Sequence, residues 1–162
     1  GSGEDLKIPE NYKTLEIGKG RIISEGTKVA IINLGTRLVE VKKASEKLNS
    51  LGLSTTIIDA RFAKPLDESL IISAAKNHEL LLTIEEGSFG GFGSSVLSLL
   101  SNASLLDDGL KIRNLVFPDK FISHASPEEM YIEAKLMSHD IVEKVLSVLK
   151  IKSSELKIVN PK

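Results

Sequence analysis

Val29-Ala-Ile-Ile-Asn-Leu34 is an almost unbroken apolar run that closes on Gly35. A run without polar alternation is what a strand needs when helices cover both faces of its sheet. Leu38, Val41, Ala44, Leu48 and Leu51 follow at three- and four-residue steps, with Lys42, Lys43, Glu46 and Lys47 between them. That spacing predicts an amphipathic helix, which Gly52 stops. One buried strand feeding one amphipathic helix is the repeating unit of an α/β fold.

The unit recurs downstream. Leu53–Asp59 is rich in β-branched residues and reads as a second strand. A Pro-containing loop follows it, then a helix from about Asp67 to Asn77, with Asp67 as its cap. Glu79–Ile84 reads as a third strand. It runs into Glu85-Glu86 and the turn Gly87-Ser-Phe-Gly-Gly-Phe-Gly93, with a helix expected from about Ser94 to Leu100. Lys111–Phe117 is a fourth strand, halted by Pro118 because proline cannot donate to a central ladder. Ser126-Pro-Glu-Glu129 is a capping box with Pro at the first helical position. A last helix, about Ser138 to Leu149, carries an apolar face broad enough to cover one side of the sheet. Upstream, Thr14–Ile17 and Arg21–Ser24 flank Gly18-Lys-Gly20 and suggest a small edge hairpin. The expected fold is a three-layer α/β/α sandwich with a mostly parallel sheet of about five strands.

The 162 residues have room for one such domain. Gly1-Ser-Gly3 reads as an expression scar continuing into a linker to residue 13, residues 14–150 form the domain, and the Lys-rich 151–162 read as a surface tail. With 41% hydrophobic and 27% charged residues, the composition is that of a folded globular chain without a membrane span. Lys plus Arg total 21 against 22 for Asp plus Glu, so no electrostatic footprint for nucleic acid or an anionic membrane exists. Cysteine is absent, which removes disulfides, thiolate metal sites and a Cys nucleophile, and fits a reducing compartment, cytoplasmic or plastid.

Three stretches could carry chemistry. The turn Gly87–Gly93 lies where a strand feeds a helix, the edge at which open α/β sheets gather ligands. Glycines there would let a backbone approach a phosphate, but Val96 stands where a G-x-G-x-x-G pattern needs its last Gly, and no P-loop Lys follows. A tight turn in which Gly87, Gly90, Gly91 and Gly93 permit close packing is the favoured reading. Glu85 and Glu86 are adjacent on a strand, so their side chains point to opposite faces and do not form an acid/base pair; one of them is expected to cap the turn. Arg61-Phe-Ala-Lys64-Pro65-Leu-Asp67 puts two cations at the same edge. An anion contact is one reading; the favoured one is a rigid turn set by Pro65, with Arg61 paired to a nearby carboxylate. Of the three histidines, 78, 124 and 139, none are spaced as a two-His metal site, and His124 precedes the capping box in a loop, as a general base or a simple loop hydrogen bond. No Ser sits in a G-x-S-x-G elbow.

Asp59-Ala-Arg-Phe-Ala-Lys-Pro-Leu-Asp67, Thr83-Ile-Glu-Glu-Gly-Ser-Phe-Gly-Gly-Phe-Gly-Ser94 and Phe117-Pro-Asp-Lys-Phe-Ile-Ser-His-Ala-Ser-Pro-Glu-Glu129 together resemble the C-terminal domain of the 1-deoxy-D-xylulose-5-phosphate synthases. The likeness extends upstream to Ile17–Gly26 and covers about residues 15 to 149. Transketolases and the β-chains of 2-oxo-acid dehydrogenases share the layout but not all three stretches. The resemblance implies a transketolase C-terminal-like fold within a thiamine-diphosphate enzyme that condenses pyruvate with glyceraldehyde 3-phosphate, with loss of CO2, for isoprenoid, thiamine and pyridoxal synthesis. In that family the cofactor and Mg²⁺ are held by earlier domains, so the 162 residues are expected to bind neither thiamine diphosphate nor metal and to be inactive alone. The partners implied are the preceding domains of the same chain and, in the full-length enzyme, a second subunit of a homodimer. Carried over position by position, Arg61, Lys64, Pro65, Asp67, Glu85, Glu86, Gly87, Gly90, Gly91, Gly93 and His124 take interdomain or turn-forming roles, none catalytic. Ser95 and Ala125 depart from the family's usual His and Gly. A stand-alone phosphate- or small-ligand-binding module, and the equivalent domain of a 2-oxo-acid dehydrogenase β-chain, are the alternatives.

Overall fold

In the computed structural model, residues 16–87, 90–119 and 126–151 are described. The elements run β1 (Arg21–Ser24), β2 (Val29–Asn33), α1 (Leu38–Ser50), β3 (Thr55–Asp59), α2 (Glu68–Asn77), β4 (Leu80–Glu86), α3 (Phe92–Asn102), β5 (Lys111–Phe117) and α4 (Pro127–Val148). They build one five-stranded sheet in the order β1-β3-β2-β4-β5. β3, β2, β4 and β5 are mutually parallel, and β1 is an antiparallel edge on β3. The expected fold class is therefore observed.

The apolar run that begins at Val29 becomes the central strand, and every residue of β2 is buried. Alternate side chains divide between two cores. Val29 and Ile31 pack with Val41, Leu48, Ile141 and Val145 under α1 and α4, whereas Ala30 and Ile32 pack with Ile71, Phe92 and Val96 under α2 and α3. Burying a side chain of this size contributes about 1.5–3 kcal/mol, so the two cores fix the three-layer order.

Three details differ from the sequence reading. Among the described residues, Arg21–Ser24 pairs with none of the expected first hairpin arm. Ile17 and Gly18 form a turn, residues 14 and 15 lie outside the described residues, and β1 instead pairs with β3, Arg21 opposite Asp59. The third strand does not end at Ile84 but carries Glu85 and Glu86 within it. The capping box and the last apolar face belong to one 22-residue helix, not two, because no Gly or Pro interrupts Met130–Leu146. Both halves of the box are formed: the Ser126 hydroxyl accepts from the Glu129 amide and the Glu129 carboxylate accepts from the Ser126 amide, each at 3.2 Å.

Candidate functional site

The chain leaves β2 for α1 on one face of the sheet and leaves β3 and β4 for α2 and α3 on the other. Neighbouring loops thus diverge at the carboxyl ends of β2, β3 and β4, the place where doubly wound sheets open a crevice. A cleft of about 490 Å³ lies there, lined by Leu34, Arg61, Phe62, Ala63, Lys64, Gly90, Gly91, Phe92 and Ser95. Two motifs singled out separately in the sequence, the Arg61–Asp67 turn and the Gly-rich turn, are its two walls.

The first wall is pinned by Asp67. Its Oδ1 accepts from Leu70 N at 3.3 Å, capping α2, while its Oδ2 accepts from Gly20 N at 2.9 Å. Pro65, joined to Lys64 by a cis peptide bond, sits against Gly18, where a Cβ would come within 2.8 Å of the proline ring. Arg61 occupies the left-handed region (φ +61°), and its amide donates to Asp59 Oδ1 at 3.2 Å. The expected pairing of the Arg61 guanidinium with a carboxylate is not formed among the described residues. Asp59, whose Oδ1 takes the Arg61 amide, turns its other oxygen to Arg21 at 3.9 Å. Arg61 and Lys64 therefore present two cations to a cleft that no acid lines among the described residues.

The second wall is held by β4. Glu85 points to the α3 face and accepts from Gly93 N at 2.6 Å, and it is 3% exposed. Glu86 points to the α1 face, where its Oε1 accepts from Thr36 N at 2.8 Å and from the Thr36 hydroxyl. Adjacent carboxylates at a strand end thus each hold the start of a helix on opposite faces, complementing the positive dipole end of each. Gly93 lies against Asn114, whose Cγ would be 2.6 Å from a Cβ, and Asn114 Oδ1 accepts from the Thr83 hydroxyl at 2.7 Å. Gly90 (φ +44°) and Gly91 (φ +86°) have open space where a side chain would stand. Gly87 donates its amide to Phe117 O at 2.9 Å, tying the turn to β5. Ser88, Phe89, His124 and Ala125 lie outside the described residues.

A buried charged cluster at the same edge escaped the sequence reading. Arg37, only 3% exposed, lies 3.8 Å from Glu86 through Nε and 3.9 Å from Glu40 through Nη1, and its Nη2 donates to Pro118 O at 2.9 Å. It joins the ends of β4 and β5 to the start of α1. Asn33, fully buried at the end of β2, donates to Gly35 O at 3.2 Å, and its Oδ1 has no partner among the described residues. The only early hint was an Arg immediately before an amphipathic helix, a position that ordinarily faces water. Among the described residues no group of three or more His, Cys, Asp or Glu converges as a metal site.

This geometry can be set beside known proteins. A solved split-gene transketolase, in an inactive β4 tetramer, is 27% identical with a TM-score of 0.67, the match covering 85% of this chain and 44% of that one. This chain thus spans less than half the length of that relative. A 2-oxoglutarate:ferredoxin oxidoreductase from Magnetococcus marinus aligns at 14% identity over 74% of this chain and 20% of the other, with a TM-score of 0.42. Residues 18–141 match the family model for the transketolase C-terminal domain, and that span takes in β1 to β5 and all the turn residues above. The chain belongs to the transketolase C-terminal domain family.

Proposed function

We propose that the chain is the C-terminal domain of a 1-deoxy-D-xylulose-5-phosphate synthase, serving as a packing module for the thiamine-diphosphate domains that precede it. The three motif stretches support the synthase; the packing role rests on one structural observation. The first turns of α4 expose Met130, Tyr131, Ile132 and Leu136, and Val39 on α1 is 60% exposed beside them, with Lys43 on the Val39 stripe lying 5.7 Å over the Tyr131 ring. A cluster of exposed large apolar side chains on one pair of helices is a patch built to be covered.

In thiamine-diphosphate enzymes the cofactor supplies a carbanion that carries the two-carbon fragment. The described residues do not fit its Mg²⁺: Glu85 and Glu86 are committed to Gly93 and Thr36, and no group of three or more His, Cys, Asp or Glu converges. We therefore assign the cofactor to the preceding domains, and to this chain the work of holding the two loop walls rigid at the edge facing them. The transketolase relative's β4 assembly supports reading the family domain as one that assembles with other protein.

Joined to the domains that precede it, the chain is expected to yield 1-deoxy-D-xylulose 5-phosphate from pyruvate and glyceraldehyde 3-phosphate. Ketol transfer between sugar phosphates, or acyl transfer to a lipoyl domain, would overturn the synthase reading while leaving the family intact. A second reading, a phosphate-binding module, is favoured by one observation, the cleft bearing Arg61 and Lys64 with no acid among its described lining residues. Titration calorimetry of the chain with inorganic phosphate and sugar phosphates decides it: saturable heat lost in Arg61→Ala supports that reading, and flat traces remove it.

A further inference from the structure

Arg61 is held at φ +61°, a region that glycine enters freely and an arginine enters at a cost. Strain of this kind persists only where the surroundings enforce it, and it clusters at binding sites. Here the enforcement is local, because Asp59 Oδ1 takes the Arg61 amide at 3.2 Å and fixes the turn. The guanidinium itself has no carboxylate partner among the described residues, and neither has the exposed Lys64 ammonium. The acids of the two cleft walls are all committed elsewhere. Asp59 turns its second oxygen to Arg21, Asp67 accepts from Leu70 N and Gly20 N, and Glu85 accepts from Gly93 N. Two cations thus stand on one wall of a cleft of about 490 Å³, and the other wall includes Gly90 and Gly91, where a Cβ would meet nothing within 4 Å.

We propose that this cleft receives an extended, carboxylate-bearing segment of the domains that precede the chain. The proposal rests on the reading of the chain as their packing module and names the chemistry of one contact. An Asp or Glu of the segment pairs with Arg61 and Lys64, and an apolar neighbour lies on the half-buried Phe62 and Ala63. The bare main chain at Gly90 and Gly91 leaves room for the segment's own backbone. The volume lies toward the small end of ligand clefts and admits a short segment only. Glu85 favours a carboxylate over a phosphate as the bound anion. Open α/β sheets take a phosphate on free amides at a helix start. At α3 the Gly93 amide is already filled by the buried Glu85 carboxylate, so a doubly charged phosphate placed there meets a like charge. A single carboxylate at the Arg61 wall needs none of those amides, and a guanidinium binds it through two parallel bonds.

Two measurements test it. In the first, NMR follows the isotope-labelled 162-residue chain through titrations with the blocked dipeptide acetyl-Phe-Glu-amide, with acetyl-Phe-Gln-amide and with inorganic phosphate. Expected are saturable shifts of the Arg61, Lys64, Gly90 and Gly91 amides with the Glu peptide, and binding roughly fivefold weaker for the Gln peptide and in Arg61→Gly. Glycine keeps the left-handed turn, so that variant removes the cation and leaves the fold. Absence of a saturable shift, equal binding of the two peptides, or the same amides moving at lower concentrations of phosphate overturns the proposal. In the second, the chain joined to its preceding domains is treated with a zero-length carbodiimide, and an amide between Lys64 Nζ and an Asp or Glu of those domains is expected by mass spectrometry. A Lys64 bonded to no such acid, in a protein that makes 1-deoxy-D-xylulose 5-phosphate, overturns the proposal and leaves the synthase reading standing. The bond found in a protein with another ketol chemistry supports the proposal and overturns the synthase reading alone.

Discussion

Glu85 accepts a hydrogen bond from the Gly93 amide at 2.6 Å, and both residues are buried. The carboxylate near the end of β4 thereby fixes where α3 begins. Glu85→Gln keeps the shape but weakens a charge-assisted bond, and about 1–3 kcal/mol of stability is expected to be lost. Thermal unfolding should register it at roughly 2–4 °C per kcal/mol for a chain of this size.

The glycines of the turn are expected to separate by mechanism. Gly93→Ala drives a Cβ to 2.6 Å from Asn114 Cγ and disturbs its bond with Thr83, costing about 1–3 kcal/mol. Gly91→Ala meets nothing, so only its φ of +86° is penalised, at about 1 kcal/mol. Chemical denaturation of the two variants should rank Gly93→Ala the more destabilised.

Arg37 compensates two carboxylates in a nearly dry setting. Arg37→Met strands Glu86 and Glu40 and releases Pro118 O, so a loss of about 3–5 kcal/mol is expected. Pairing it with Glu86→Gln should recover part of that loss. Additive losses in the double-mutant cycle would show that the two residues do not interact.

At the opposite edge Glu79 is held below the ordinary carboxylate range, chiefly by its bond from Lys111 at 3.3 Å, with Lys28 assisting and partial burial opposing. A depressed folded-state value means that the stabilisation is present above the ordinary value of 4.5 and is lost as pH falls through the folded one. The side chain is 46% exposed, so the contribution is below about 1 kcal/mol. Glu79→Gln should flatten the acid limb of a stability–pH curve slightly and change nothing at pH 7 beyond that small amount.

What the sequence disclosed was local or periodic. Asp67 as the cap of α2, the Ser126–Glu129 box and the buried β2 run were legible because each depends on neighbours within a few residues. The opposite aims of Glu85 and Glu86 follow from strand alternation alone. The Arg37 cluster was not legible, since its partner Glu86 and its acceptor Pro118 arrive from distant strands. Nor was the antiparallel pairing of β1, because Arg21–Ser24 would look the same in a hairpin. The continuity of α4 was obscured by its first turns, whose outward apolar residues break the amphipathic period that marks a helix packed within one domain.

The most direct measurement is titration calorimetry of the isolated chain with thiamine diphosphate and Mg²⁺, run beside an assay for pyruvate-dependent carboligation. Flat heats and no product are expected from this chain alone, with both restored when the preceding domains are attached. Saturable cofactor binding or turnover by these 162 residues would contradict the assignment of this domain as a packing module.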